Sequence, residues 1–223
     1  YRERGYYPEA FINMLALLGW NPGTDQEIMS VDELVRLFDL DRVHKGGARF
    51  DPEKTKWFNQ QYLRMRPDAE LGAQLLELLR EQGIGTTLDR AIRAAALLKE
   101  RATFVGDMLE GSYLFTTGSP LSGNAVAETE LRKRWKPEAA TAIEAYIAAL
   151  KELPSFTPEA LDAAFNAVLL GKGMKTGQVM PVYRLFVAGR MQGPGMFDVS
   201  ALLGREEVIA RLKAGLALCA SWV

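Results

Sequence analysis

The stretch TPEALDAAFNAVLL, residues 157–170, decides the fold class. Thr157 is a residue type that caps a helix by accepting a hydrogen bond from a backbone amide, and Pro158 suits the first helical turn. The apolar residues recur at spacings of three and four: Leu161, Phe165, Val168 and Leu169. Such spacing places them on one helix face, so the stretch predicts a capped helix with one buried side.

Start signals of the same kind precede several other periodic segments. Ser30 with Glu33 makes a capping box before VDELVRLFDL. Asp51 followed by Pro52 opens a helix over residues 53–65, and Pro67 opens one that Gly83 closes. Further helices are predicted over residues 7–20, 87–109, 136–153, 182–190 and 206–218, and a loop over residues 116–125.

Strand signals are few. The chain has no Asn-Gly or Asp-Gly hairpin turn and no long run of alternating β-branched residues. The predicted fold class is therefore all-α, built from packed helical bundles. Proline and polar residues interrupt the pattern twice, which predicts three parts: residues 1–66, 67–153 and 154–223.

Composition narrows the classes of partner and compartment. The 223 residues carry a net charge of −1, so a nucleic-acid partner would have to meet a local basic patch. The single cysteine excludes an internal disulfide and fits a reducing, cytoplasmic compartment. The longest apolar run is too short to span a bilayer, so no membrane partner is expected. Because the chain begins with Tyr1 rather than Met, we expect it to be part of a longer protein.

No catalytic residue is predicted. His44 is the only histidine, which argues against a His-based metal cluster or a Ser/His/Asp triad, and its setting predicts a solvated loop. Cys219 lies in an apolar terminal helix, where a packed thiol is expected. Glu206 and Glu207 are interpreted as a solvated pair at a helix end.

A basic, acid-free run extends from Ala163 to Phe197. Its cations are Lys172, Lys175, Arg184 and Arg190. These side chains are of the type that binds phosphate, and the glycines between them allow close backbone approach. A solvated helix face followed by a tight loop explains the composition equally well.

A second candidate is an amide-rich helix. Its aromatic and amide residues are Trp57, Phe58, Asn59, Gln60, Gln61 and Tyr62, flanked by Lys54, Lys56 and Arg64. Amides, aromatics and cations together can contact RNA bases and backbone. Phe58 and Tyr62 share a different face from Trp57 and Gln61, so a core-facing stripe beside a polar face is an equal alternative.

Three segments resemble the bacterial glutamyl-tRNA synthetase family. YRERGYYPEAFINMLALLGW is similar to the family's GY.PEA..N.LALLGW string, and HKGGARFDPEKTKWFNQQYLR to SKSGA.FD..KL.W.N..Y.R. GKGMKTGQVMPVYRLFVAGRMQGPGMFDVSALLGREEVIARL is similar to K.G.K.G.V..PLR.ALTG...GPGLFE.L.LLG.E....RL. The resemblance covers nearly the whole chain.

The resemblance implies a tRNA-binding part without the catalytic site. The family's HIGH-type and KMSKS motifs are absent, so a catalytic domain upstream would supply ATP, Mg²⁺ and glutamate binding. The chain would supply a stem-contact region over residues 1–66 and a two-part, all-α anticodon-binding cage. It would bind glutamate tRNA isoacceptors, act as a monomer and be inactive alone.

Family roles then fall on particular residues. The arginine of PLR, which contacts anticodon bases, matches Arg184; the lysine of the K.G.V string, a phosphate contact, matches Lys175. Arg101 is the candidate for reading the third anticodon base. The full set of candidate tRNA-contacting residues is Arg184, Lys175, Arg101, Arg190, Gly193, Pro194, Met196, Lys54 and Gln60. A helical protein-interaction module that binds no RNA is the alternative function.

Overall fold

The computed structural model describes residues 1–44, 46–47 and 49–222. Within them lie eleven α-helices: α1 (Pro8–Gly19), α2 (Val31–Leu37), α3 (Pro52–Met65), α4 (Asp68–Glu81), α5 (Leu88–Leu98), α6 (Ala125–Arg134), α7 (Pro137–Glu152), α8 (Pro158–Gly171), α9 (Thr176–Ala188), α10 (Met196–Leu203) and α11 (Arg205–Ala220). Shorter 3-10 helices cover Arg2–Arg4, Leu40–Arg42, Lys99–Arg101 and Val105–Leu114. The described part of the chain contains no β-strand, which confirms the all-α prediction. None of these helices is long and apolar enough to cross a membrane.

The chain divides into two compact units. The first unit consists of Tyr1–Gln82 and Thr87–Glu110 and contains α1 to α5. The second unit consists of Gly83–Thr86 and the chain from Gly111 onward, and it contains α6 to α11. The three-part division at residues 66 and 153 stays a prediction.

Three of the predicted helix starts are confirmed by the hydrogen bonds of their caps. Thr157 Oγ1 accepts from the backbone N–H of Ala160 at 3.3 Å. Asp51 Oδ1 accepts from the amide of Glu53 at 2.9 Å. Ser30 Oγ accepts from Glu33 N, and the Glu33 carboxylate accepts from Ser30 N in return. Side chains at these caps satisfy amides that have no partner inside the helix.

A buried asparagine organises the core of the first unit. Helix α1 packs on α3 through Met14 and Phe58, among others. Asn13, fully buried in α1, accepts from Met29 N at 2.9 Å, and its Oδ1 lies 2.9 Å from the Tyr62 hydroxyl. The polar residue inside the apolar run FINMLALLGW is therefore part of the core, where the two hydrogen bonds that its Oδ1 accepts offset part of the cost of burial.

Helices α4 and α5 pack in close contact. A Cβ built on Gly72 would lie 2.5 Å from the Cα of Ile92, a distance that real side chains do not reach. The absence of a side chain at Gly72 thus allows the two backbones to pack together, with Leu71 and Leu75 buried beside them.

Aromatic rings form the core of the second unit. Tyr146 of α7, Phe165 of α8 and Tyr183 of α9 are buried, with ring centroids 5.1 to 5.6 Å apart. Helix α11 reaches this core at Gly215, where an added Cβ would lie 2.3 Å from the ring of Phe186. The one-sided helix predicted from residues 157–170 is therefore confirmed, with Phe165 on its buried face.

The continuous helix predicted over residues 87–109 is wrong. Helix α5 ends at Leu98 and is followed by a 3-10 turn. The Asp107 carboxylate accepts from the amides of Thr103 and Phe104, both at 2.9 Å. An aspartate that captures amides in this way competes with the helical hydrogen-bond pattern, so the chain starts a new turn instead.

The tail contains three helices rather than the predicted two. Helix α9 begins at Thr176, six residues before the predicted start, and Pro181 lies inside it. Proline removes one N–H bond, and the carbonyl left without that donor belongs to the exposed Gly177, where water can replace it. Helices α6 and α10 were not predicted; Asn124 caps α6 by accepting from Ala127 N.

Candidate functional site

The basic residues of the acid-free run lie on helix α9 and on the segments that flank it. Lys175 precedes its first residue, and the Lys175 amide donates to Gln178 Oε1 at 2.7 Å while the residue as a whole is exposed. Lys172 is exposed as well. Free amides at a helix start carry partial positive charge, so exposed lysines there add to a local attraction for anions.

Arg184 lies on α9, two turns further on, and is half-buried. Its Nη2 donates to Pro194 O at 3.0 Å. Gly193 has a φ of +146°, a conformation that favours glycine, and a Cβ built there would lie 3.5 Å from Arg184 Nη1. The helix and the loop that follows it are thus joined through the Arg184 side chain.

The loop from Gly189 to Met196 is tightly built. Gly189 ends α9 with a φ of +65°, and a Cβ there would lie 2.6 Å from Pro120 O. Asn124 Nδ2 donates to Gly189 O at 3.0 Å. Pro194 and Met196 are buried. The structure therefore places Pro194 and Met196 in the packing of this loop, and the contact of these residues with tRNA stays a prediction.

Arg190 is half-buried beside this loop. The structure brings Arg184, Arg190, Gly193, Pro194 and Met196 together at the C-terminal end of α9, with Lys175 at its other end.

The amide-rich helix α3 has a core-facing stripe beside a polar face, which is the second of the two alternatives predicted for it. Phe58 and Tyr62 face the core. Asn59 is fully buried, accepts from Tyr7 N at 2.8 Å and donates to Thr103 O at 2.6 Å, so it joins three segments of the first unit. Gln60 remains half-buried and Trp57 exposed, so the outer face alone is open to a ligand.

The remaining candidates lie on the surface of the first unit. Lys54 is exposed and its Nζ lies 2.7 Å from Glu27 Oε1. Arg101 is exposed in the 3-10 turn after α5. His44 is exposed in a loop, as predicted, and its amide donates to Gly19 O at 2.8 Å.

A buried arginine was missed from the sequence. Arg211 of α11 has no exposed surface, and its Nε donates to Glu207 Oε1 at 2.6 Å. The interpretation of Glu207 as a solvated carboxylate is therefore wrong, since its side chain is only 18% exposed. The four-residue spacing of Glu207 and Arg211 on a helix was the readable signal.

Burial also sets the ionisation of two side chains in this unit. It raises the pKa of the Tyr183 hydroxyl to about 12, while the hydrogen bond with Ser200 lowers it in part; the two oxygens lie 2.5 Å apart. The Cys219 side chain is buried, which confirms the packed thiol predicted from the sequence, and this burial raises the pKa of the thiol to about 12. Within residues 1–44, 46–47 and 49–222, no group of three or more His, Cys, Asp or Glu side chains is placed to hold a metal ion.

Comparison with known families defines the class of the protein. The anticodon binding domain family matches residues 70–216, more than half of the chain, and the chain belongs to that family. The catalytic domain family of class I tRNA synthetases (E and Q) matches residues 1–57.

The individual relatives of the chain include several glutamate–tRNA ligases. The chain is 40% identical over 216 residues to a glutamate–tRNA ligase of Flavobacterium johnsoniae, covering 97% of this chain and 42% of that protein. A glutamate–tRNA ligase of Porphyromonas gingivalis shows the same identity and coverage. The crystal structure of a glutamate tRNA ligase from Elizabethkingia meningosepticum, in complex with its amino acid, has a TM-score of 0.85 and 38% identity over 97% of this chain and 42% of that one. The predicted resemblance to the glutamyl-tRNA synthetase family is confirmed, and the chain spans about 42% of the length of these relatives.

Proposed function

We propose that the chain is the tRNA-binding part of a glutamate–tRNA ligase. The parent enzyme would attach glutamate to its tRNA with ATP and Mg²⁺, and this chain would recognise the anticodon and stem without activating glutamate itself. The observation that carries the proposal is the match of residues 70–216 to the anticodon binding domain family. That match includes α9, Arg184 and the loop that follows.

The chemistry of α9 supports an RNA partner. From Ala163 to Phe197 the chain has no carboxylate that would repel phosphate. Arg184 donates to Pro194 O through one amino group, which fixes the direction of a planar guanidinium. An arginine recognises a base edge or a phosphate through two parallel hydrogen bonds. Because Nη1 of Arg184 is buried, such a contact would fall on the edge formed by Nε and Nη2.

Each candidate residue is assigned a contact with tRNA or a packing role. Arg184 and Arg190 would contact anticodon bases or backbone and Lys175 a phosphate. The loop at Gly193 would lie against the anticodon, and the buried Pro194 and Met196 would contribute packing beneath it. Arg101 would read the third anticodon base, and Lys54 and Gln60 would lie against the stem. The expected partner is a glutamate tRNA isoacceptor, bound by a monomer in the cytoplasm.

Binding of a labelled glutamate tRNA transcript tests the proposal. We expect Arg184→Ala to weaken binding by about 1–3 kcal/mol and to reduce the preference for the glutamate anticodon, as for a bidentate base contact. Arg184→Lys is expected to restore charge but not selectivity. Lys213→Ala, which removes an exposed cation of the same compact unit outside the acid-free run, is the matched control and is expected to change affinity less than twofold.

Salt dependence separates this function from the protein-interaction alternative. Phosphate contacts release counterions, so the affinity should fall steeply as salt rises from about 50 to 200 mM. A folded chain that binds tRNA weakly, without dependence on salt or on Arg184, would favour the interaction module.

A further inference from the structure

Among the residues that the structure describes, Arg211 is the most completely buried charged side chain that the functional proposal leaves unused. Its Nη1 donates to Val187 O at 2.7 Å, and its Nη2 donates to Tyr113 O at 2.9 Å and to Thr116 O at 2.6 Å. With the bond from Nε to Glu207, the three nitrogens of one guanidinium donate four hydrogen bonds. Lysine has a single donor atom and cannot reproduce this planar set.

Glu207 extends the same connection. Its Oε1 accepts from Arg211 Nε and also from Gly118 N at 3.0 Å. The Glu207 carboxylate therefore balances the buried charge of Arg211. It also binds the end of the segment 113–118 at Gly118, whereas Arg211 binds the start of that segment at Tyr113. Residues 113–118 are fixed to α11 at three backbone atoms: the carbonyls of Tyr113 and Thr116 and the amide of Gly118.

The atoms that Arg211 holds lie next to Arg184. Val187 O belongs to the last turn of α9, one turn after Arg184. On the other side, the backbone of Tyr113 is bound by Arg211, and a Cβ built on Gly193 would lie 3.5 Å from both the Tyr113 hydroxyl and Arg184 Nη1. Tyr113, Gly193 and Arg184 thus lie close together. Arg211 binds two of the backbone segments involved, the end of α9 at Val187 and the segment 113–118 at Tyr113.

We propose that Arg211, held by Glu207, is a positioning residue for the anticodon-reading surface. It sets the C-terminal end of α9 against residues 113–118, and this arrangement aims the Arg184 guanidinium and the loop from Gly189 to Met196. The inference rests on the proposed function, because it assigns Arg211 a role only through a surface that binds RNA.

A double-mutant cycle tests the inference. The whole chain is titrated against an RNA hairpin with the anticodon stem and loop of a glutamate tRNA, as wild type, Arg184→Ala, Arg211→Lys and the double variant. Circular dichroism and a thermal melt establish that each variant is folded. We expect Arg184→Ala to weaken binding about tenfold in the wild-type background. In the Arg211→Lys background it should weaken binding less than about threefold, since coupled residues are not additive.

The outcomes distinguish the two proposals. If the wild type binds and Arg184→Ala weakens binding, but Arg211→Lys binds as wild type or the two effects simply multiply, the positioning role is overturned and the function stands. If the wild type does not bind the hairpin, the proposed function fails. If it binds but Arg184→Ala has no effect, the assignment of Arg184 fails, and in both cases the positioning role falls as well.

A second variant covers the case in which Arg211→Lys does not fold. Glu207→Gln keeps an oxygen that can accept from Arg211 Nε and Gly118 N, while it removes the charge that holds the guanidinium. We expect this variant to be folded, to bind the hairpin about threefold more weakly, and to reduce the effect of Arg184→Ala. Full additivity with Arg184→Ala in this background would also overturn the positioning role.

Discussion

Replacement of Arg211 by methionine should strongly destabilise the folded chain. Methionine fills a similar volume, so the expected loss comes from hydrogen bonds and charge rather than from a cavity. The carbonyls of Tyr113, Thr116 and Val187 each lose a donor, at about 1 kcal/mol apiece. Glu207, 18% exposed, also loses its cationic partner and keeps only the hydrogen bond from Gly118 N. Together with the lost carbonyl bonds, the expected loss is about 3–5 kcal/mol, as for breaking a buried ion pair.

Urea unfolding followed by far-UV circular dichroism measures this loss. The matched control is Arg93→Met, because Arg93 pairs with Asp89 at the same four-residue helical spacing but is 57% exposed. The control should change the free energy of unfolding by less than about 0.5 kcal/mol. Adding Glu207→Gln to Arg211→Met should recover about 1 kcal/mol by removing the unpaired carboxylate. Equal losses for Arg211→Met and Arg93→Met would refute the reasoning.

Three further predictions concern packing and ionisation. Gly72→Ala should lower the free energy of unfolding by about 1–3 kcal/mol in urea, because its Cβ would lie 2.5 Å from Ile92 Cα, whereas Gly85→Ala, with nothing within 4 Å, should cause little change. The Cys219 thiol should react with iodoacetamide at pH 8 only after unfolding, because burial raises its pKa from 9.0 to about 12. Because the folded state binds this proton more tightly, the contribution of Cys219 to stability is full below about pH 9 and falls between pH 9 and 12, and Cys219→Ala should flatten stability over that range. Rapid labelling of the folded chain would contradict the burial of the thiol.

Local signals predicted the helix starts because their hydrogen bonds are local. Thr157 with Ala160 and Ser30 with Glu33 lie three residues apart, so the cap can be read from a short stretch of sequence. The break after α5 could be read only in part. Asp107 accepts from amides three and four residues earlier, which is a local signal. Asn59, 44 residues earlier in the chain, also donates to Thr103 O, and the local pattern does not contain that contact.

The same distinction applies to the site. The cations of the acid-free run are visible in the composition, and Arg184 was assigned by its place in a motif. The role of Arg211 depends on carbonyls up to 98 residues away, at Tyr113 and Thr116, which no spacing within α11 reveals. Asn13 and Asn59 show the converse, because polar residues that read as interruptions or RNA contacts are hydrogen-bonded parts of the core.

A footprint of the chain on a glutamate tRNA transcript tests the proposed function most directly. Nuclease or hydroxyl-radical cleavage is compared with and without the chain, and Arg184→Ala is run alongside. Protection of the anticodon loop that is reduced in Arg184→Ala, while stem protection persists, is the predicted result. A folded chain that leaves the anticodon loop as open to cleavage as free tRNA would contradict it.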